Sequence, residues 1–225
     1  MCGRFTLTVD AGGLQQAFPW VTISDDVSPR YNVAPTQSVA VVANSEQRAL
    51  EFFRWGLIPS WAKDPAIGNR MINARGETVA EKPSFRVAFK LRRFLIFADG
   101  FYEWRKNDDG SKTPVFIHLK DRSPFAFAGL WEVWRPKDAA EDEMPILSCT
   151  IITTEPNELL TPIHNRMPVI LPQSAIDTWL DPAERSAETF QPLLAAYPGE
   201  EMDWYPVSTV VNNPRNDIPE AIVPA

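Results

Sequence analysis

A chain of 225 residues is long enough for one domain with a substantial core, and 44% hydrophobic against 23% charged residues is ordinary globular composition. Two cysteines exclude a disulfide framework, two histidines complete no spaced metal motif, and a formal charge of −7 speaks at first sight against nucleic acid. No apolar stretch is long enough to span a membrane and no basic-then-apolar leader opens the chain, so a reducing, cytoplasmic compartment is expected.

Twenty-one prolines against ten glycines suggest fixed turns rather than flexible linkers. In chain order, the pattern predicts a helix over 10–18, then strands over 39–42, 50–57 and 93–98, where β-branched and aromatic residues cluster. Asn107-Asp108-Asp109-Gly110 reads as a hairpin loop leading to a strand over 114–119. Further strands are predicted over 125–134, 147–153 and 166–171. Helices follow over 174–180, with Ser174 as N-cap and Pro182 as stop, and over 187–196. No repeat, low-complexity tract or linker interrupts residues 1–225. The expected fold is a single α+β domain on a curled, mostly antiparallel sheet with a few short helices.

Charge is unevenly spread. From Arg70 to Lys106 there are nine basic and four acidic residues, a net of +5, whereas 138–143 and the stretch around Glu200, Glu201 and Asp203 are acidic. A basic groove and an ordinary solvated face both fit that distribution.

Cys2 carries the most chemistry. Removal of Met1, favoured by a small second residue, leaves a free α-amine and a thiol on adjacent carbons. The amine, with a pKa of roughly 7.7–8.0 against about 10.4 for lysine, has a few hundred times more neutral form at pH 7. It can condense with an aldehyde to an imine, and the thiol can close a five-membered thiazolidine intramolecularly. Asn73, in the polar segment 72–78, can donate and accept hydrogen bonds and so hold an amine; an ordinary loop is the alternative. Glu103 lies in the apolar run 94–104, and strand alternation puts it opposite Tyr102 and Trp104. Burial would raise its pKa into a useful range, but the stretch by itself favours the solvent face. His164 sits beside Arg166 in a turn before an apolar run, where it can exchange protons near an anion. His118 reads as structural and Cys149 as a small buried hydrophobe. Arg4, Arg75 and Arg166 each lie beside one of these residues and could hold phosphates.

These residues fall in segments that resemble the SOS-response-associated peptidase family, whose members shield abasic sites in single-stranded DNA. The matching motifs are Met1-Cys2-Gly3-Arg4-Phe5, Tyr31-Asn32-Val33-Ala34-Pro35, Trp55-Gly56-Leu57-Ile58-Pro59-Ser60-Trp61, and the segments 72–78, 97–104, 163–171 and 211–217. The resemblance implies that family's barrel-like fold over the whole chain. It implies a thiazolidine crosslink between Cys2 and the ring-opened sugar aldehyde, with Asn73 orienting the amine, Glu103 moving its proton, and His164 protonating the ring oxygen. It also implies that Arg4, Asn32, Arg75 and Arg166 contact the strand, while Pro35 and Trp61 stack or wedge against bases. No cofactor, metal or membrane partner is implied. A monomer is expected, nucleoid-associated if the source is bacterial. The family's name implies that Met1 is self-removed; aminopeptidase processing is the alternative. Asn165 stands where the family commonly has Asp, which touches a neighbour of the histidine only.

Three rival readings compete. Glutamine amidotransferases of the N-terminal-nucleophile type also begin Met-Cys-Gly, but they use an Asn-Gly segment and this chain contains no Asn-Gly dipeptide. A non-catalytic reader of damaged or modified DNA would bind without needing Cys2. A peptidase acting on other proteins would need a substrate groove of which the sequence gives no sign.

Overall fold

Runs of β-branched and aromatic residues dominate the chain, and the computed structural model arranges them as two sheets with short helices at the periphery. It describes residues 2–23, 27–140 and 142–225. Met1 and Glu141 of the acidic stretch, both used in reading the sequence, lie outside them. The strands are β1 (Phe5–Leu7), β2 (Arg30–Val33), β3 (Ser38–Ala43), β4 (Leu50–Trp55), β5 (Asn73–Arg75), β6 (Arg93–Ala98) and β7 (Gly100–Lys106). They continue as β8 (Lys112–Leu119), β9 (Phe125–Trp134), β10 (Ile146–Thr154), β11 (Met167–Pro168) and β12 (Met202–Pro206). The helices are α1 (Ala11–Ala17), α2 (Arg86–Leu91), α3 (Gln173–Trp179) and α4 (Ala187–Phe190).

One sheet runs β12-β8-β7-β1-β2, the other β11-β10-β4-β3-β6-β9. In the second, β9 also pairs with β10, from Ile146↔Trp134 to Ile151↔Gly129, so β10, β4, β3, β6 and β9 close into a barrel-like ring. Pairing is antiparallel except where β10 runs parallel to β4 and to β5. The fold is therefore the expected α+β type.

Alternation along the ring strands feeds two cores. Val39, Val41, Phe94, Ile96, Phe127 and Ile151 join Phe5, Phe101 and Val115 of the five-stranded sheet, and Cys2 belongs to this cluster. Ala40, Val42, Leu95, Phe97, Ala128 and Ile152 pack with Leu14 of α1, Phe89 of α2 and Trp179 of α3.

Several boundaries differ from the sequence pattern for identifiable reasons. β4 stops at Trp55 because Gly56 has φ 124°, and a Cβ there would lie 2.6 Å from the Gly68 carbonyl oxygen, where two backbones cross. The expected strand over 166–171 is a strand only at Met167–Pro168. Beyond it the chain bridges two neighbours, Val169 N–H donating to Ile152 and Leu171 N–H to Ala126. Ser174 is not the cap of α3; Pro172, held extended, precedes the helix and Ser174 lies in its first turn. The helix expected over 187–196 is α4 followed by a 3-10 turn around Pro192, which cannot continue an α-helix. α1 matches its pattern, with Asp10 accepting from Gly13 N–H at 2.9 Å. Among the described residues, no helix is long and apolar enough to cross a membrane.

Not every residue of the basic stretch faces solvent. Arg93 is fully buried, stacked 3.8 Å over the Phe190 ring, and donates to the carbonyls of Phe89, Lys90, Trp179 and Asp181. It thereby satisfies carbonyls at the C-terminal ends of α2 and α3.

β1 carries the N-terminus and is only three residues long. It is inserted between β7 and β2 and held by buried Asp99, which accepts from the Thr6 hydroxyl and from the N–H and hydroxyl of Thr8. Asp99→Ala is expected to orphan these donors and cost about 3 kcal/mol. The melting temperature should fall by about 6–12 °C, and hydrogen exchange should rise first at the amides of Thr6 and Thr8. Unchanged exchange there would disprove the anchoring role.

Candidate functional site

The second residue of a chain usually frays into water, but here Cys2 is 0% exposed. Its carbonyl accepts a 2.8 Å hydrogen bond from Asn73 Nδ2. Asn73 opens β5, which pairs parallel with β10 through Ile151↔Asn73, so Asn73 lies in a strand while 76–78 of the same segment form a turn. The preceding residue is fixed too, since Trp55 Nε1 donates to the Ile72 carbonyl at 2.9 Å. Asn73 Oδ1 is buried and has no partner among the described residues.

Glu103 occupies β7 opposite Val115 of β8. Alternation places it on the Phe101 face, against the core that holds Cys2, and it is only 5% exposed. The solvent-face reading is thus overturned: Glu103 is buried on the face that packs toward the core containing Cys2. Burial raises the Glu103 carboxyl above the ordinary carboxylate range, while the nearby His164 pulls it down. The Cys2 thiol is driven well up, first by burial and then by the Glu103 carboxylate. These mutual influences place Cys2, Asn73, Glu103 and His164 in one neighbourhood.

His164 ends a helical turn organised by Asn157. The Asn157 carbonyl accepts from Thr161 N–H at 3.0 Å, its Oδ1 accepts from Leu160 N–H at 3.0 Å, and His164 N–H donates to Leu160 at 2.9 Å. Arg166 N–H approaches His164 Nδ1 at 3.0 Å. Nδ1 also lies 3.2 Å from the Arg166 carbonyl, so the turn holds the ring from its Nδ1 side.

The remaining sequence candidates occupy different settings. Arg4 Nη1 donates to Asn32 Oδ1 and to the Val211 carbonyl, each at 2.7 Å, and the guanidinium lies 5.8 Å from the Trp104 ring. Asn32 is fully buried, and its Nδ2 reaches the carbonyls of Val211, Asn213 and Asn216. Arg166 makes a bidentate pair with Glu77 and a 2.7 Å bond to the Thr153 carbonyl. Arg75 is exposed and lines an open groove with Asn73, Thr78 and Lys82. Trp61 is 58% exposed, and Pro35 is half-buried in the turn between β2 and β3. His118 and Cys149 are buried elsewhere.

Four residues that support this arrangement were not singled out by the sequence: Trp55, Glu77, Thr153 and Asn157. Glu77 left a trace as an acid inside a basic stretch, and Trp55 as the first residue of a matching motif. Among the described residues no group of three or more His, Cys, Asp or Glu side chains could hold a metal ion.

Comparison with known proteins follows the same outline. A family model described as SOS response associated peptidase (SRAP) matches residues 1–214. "Abasic site processing protein YoaM" of Bacillus subtilis is 44% identical over 99% of this chain and 97% of its own length. "Abasic site processing protein HMCES" of Xenopus tropicalis is 34% identical over 88% of this chain and 67% of its own. A crystal structure of a Bacteroides thetaiotaomicron protein superposes with a TM-score of 0.87 at 28% identity, covering 100% of both chains.

The raised Glu103 carboxyl has a thermodynamic consequence. Between its ordinary value of 4.5 and its raised value, the folded protein binds a proton that the unfolded chain has released. Stability therefore falls as pH rises through that window. Glu103→Gln should remove the effect: its melting temperature should match the wild type below about pH 4.5, exceed it increasingly as pH rises, and level off once the folded carboxyl ionises, by about 2–4 °C for each kcal/mol gained. A constant difference across that range would contradict the assignment.

Proposed function

The chain belongs to the SOS response associated peptidase family, and from that premise we propose that it processes abasic sites in single-stranded DNA by covalent capture on Cys2. Once Met1 is gone, the Cys2 α-amine attacks the C1′ aldehyde of the ring-opened sugar. The carbinolamine loses water to give an imine. The thiol then adds across the C=N bond, forming the C–S bond while its proton passes to the ring nitrogen, and the product is a thiazolidine.

The observation that carries this reading is the burial of Cys2 beside Glu103, with its carbonyl held by Asn73. Asn73 Oδ1 supplies an acceptor for an N–H of the freed amine. Glu103, whose carboxyl burial raises above the ordinary range, takes a proton from the amine as it attacks and assists transfer from sulfur to nitrogen. His164 donates a proton to the sugar ring oxygen as the ring opens. Arg4, Arg75 and Arg166 take flanking phosphates, Asn32 holds Arg4, and Trp61 and Pro35 meet adjacent bases. The names of the relatives, abasic site processing proteins, favour this substrate over glutamine or an intact peptide.

The test is a denaturing gel with single-stranded DNA carrying one abasic site. A shifted band should form without borohydride and should vanish in Cys2→Ala. A protein that keeps Met1 or carries an N-terminal tag should form none, despite its intact thiol. Glu103→Gln should slow crosslinking by about two to four orders of magnitude. Equal crosslinking by Cys2→Ala, or none by the wild type, would overturn the covalent reading. Glutamine hydrolysis by the purified protein would favour the amidotransferase.

A further inference from the structure

We propose that Glu77 is an internal competitor for phosphate that keeps the Arg166 anion site closed until a DNA strand displaces it. The inference rests on the reading above that Arg166 contacts the strand. Donor bookkeeping leads to it. A guanidinium has five N–H groups. Arg166 Nη2 donates to Glu77 Oε2 at 2.9 Å and to the Thr153 carbonyl at 2.7 Å, and Nη1 donates to Glu77 Oε1 at 2.6 Å. Nε is buried without a partner among the described residues. One Nη1 N–H is left for a ligand, too few for the two parallel bonds by which arginine grips a phosphate.

The Glu77 carboxylate sits where such a phosphate would sit, with the same fork geometry and the same sign of charge. Its carboxyl is held below the ordinary range, chiefly by its hydrogen bonds from Arg166, so it stays ionised at neutral pH. The partners are unequally placed: the Arg166 side chain is 13% exposed and the Glu77 side chain 45%. Arginine is therefore fixed against Thr153, while the carboxylate can swing into water. Glu77 also lies two residues from Arg75, which is exposed and makes no such pair among the described residues.

Displacing Glu77 discounts what any phosphate gains at Arg166. For undamaged strands, held only by non-covalent contacts, that discount lowers occupancy directly. For a strand with an abasic site, the covalent step follows and holds the product whatever the discount. Glu77 thus acts as a specificity-determining residue: it weakens transient binding more than final capture.

The test measures binding of an undamaged single-stranded oligonucleotide by fluorescence anisotropy across a salt series, for wild type, Glu77→Gln, Arg166→Ala and the double variant. Glu77→Gln should bind about two- to fivefold more tightly, the range expected for removing a partly exposed competing ion pair. Its log–log salt slope should match the wild type, because displacement of Glu77 already gives Arg166 the same phosphate, whereas Arg166→Ala should be shallower by about 0.7, one phosphate fewer on a single strand. Arg166→Ala should bind more weakly than wild type, and adding Glu77→Gln to it should change nothing further. Tighter binding from Glu77→Gln even without Arg166 would show general charge repulsion and overturn the proposal. Unchanged or weaker binding by Glu77→Gln, with a lowered melting temperature, would show a structural staple and overturn it as well. If Arg166→Ala alone leaves affinity unchanged, the phosphate role of Arg166 itself falls, which is a distinct outcome.

Discussion

Everything at the candidate site depends on burying residue 2 of the chain. A terminus loses entropy when it is ordered, and a short leading segment has few contacts with which to offset that loss. The fold supplies them from three directions. β1 sits between β7 and β2 instead of at a sheet edge. Asp99 gathers the side chains of Thr6 and Thr8. Asn73, on a strand stitched to β10, takes hold of the Cys2 carbonyl. Because β7 also carries Glu103, the contact that orders the terminus also sets its distance from the carboxylate.

The three arginines proposed to meet DNA show how differently one side-chain type can be prepared. Arg4 is wedged against the C-terminal segment, which is itself tied down by Asn32 and by Asp217 accepting from the N–H groups of Tyr31 and Asn32. Its orientation is fixed before any ligand arrives. Arg166 is fixed as well, but on an internal anion. Arg75 is exposed and free to reorient. A preorganised cation loses little entropy on binding, and a mobile one can follow a flexible strand. With a formal charge of −7 overall, such local placement matters more to DNA than the sum does.

The sequence made the long ring strands legible because their alternation is dictated by two apolar faces, as at β6 and β9. It did not reveal β1, β2, β5 or β12. These are short, and each becomes a strand only because a neighbour far along the chain offers an edge, as β10 does for Asn73. α2 escaped for a related reason: it has six residues, no side-chain cap, and Val87 and Leu91 exposed on it. At the site, the chemistry-bearing residues could be named because their types are unusual in their surroundings. Their burial could not. The local pattern around Glu103 favours the solvent face, and its burial comes from packing with distant segments, which no local window contains.

Burial of the Cys2 thiol constrains the order of the proposed steps. With its proton held firmly by desolvation and by the neighbouring carboxylate, the sulfur is a poor first nucleophile. The amine must act first. Condensation then changes the field, because a protonated imine places a positive charge within a few ångströms of both sulfur and Glu103. At about 4 Å and an effective dielectric of about 20, such a charge is worth about 4 kcal/mol, roughly a thousandfold in proton affinity. On the proposed mechanism, a protonated imine therefore eases proton loss from the thiol once an aldehyde has been captured. A permanently ionised cysteine would meet oxidants and disulfides far more often than lesions. On this view the same burial that suppresses the thiol protects it, and the substrate's own carbon supplies the charge that lifts the suppression.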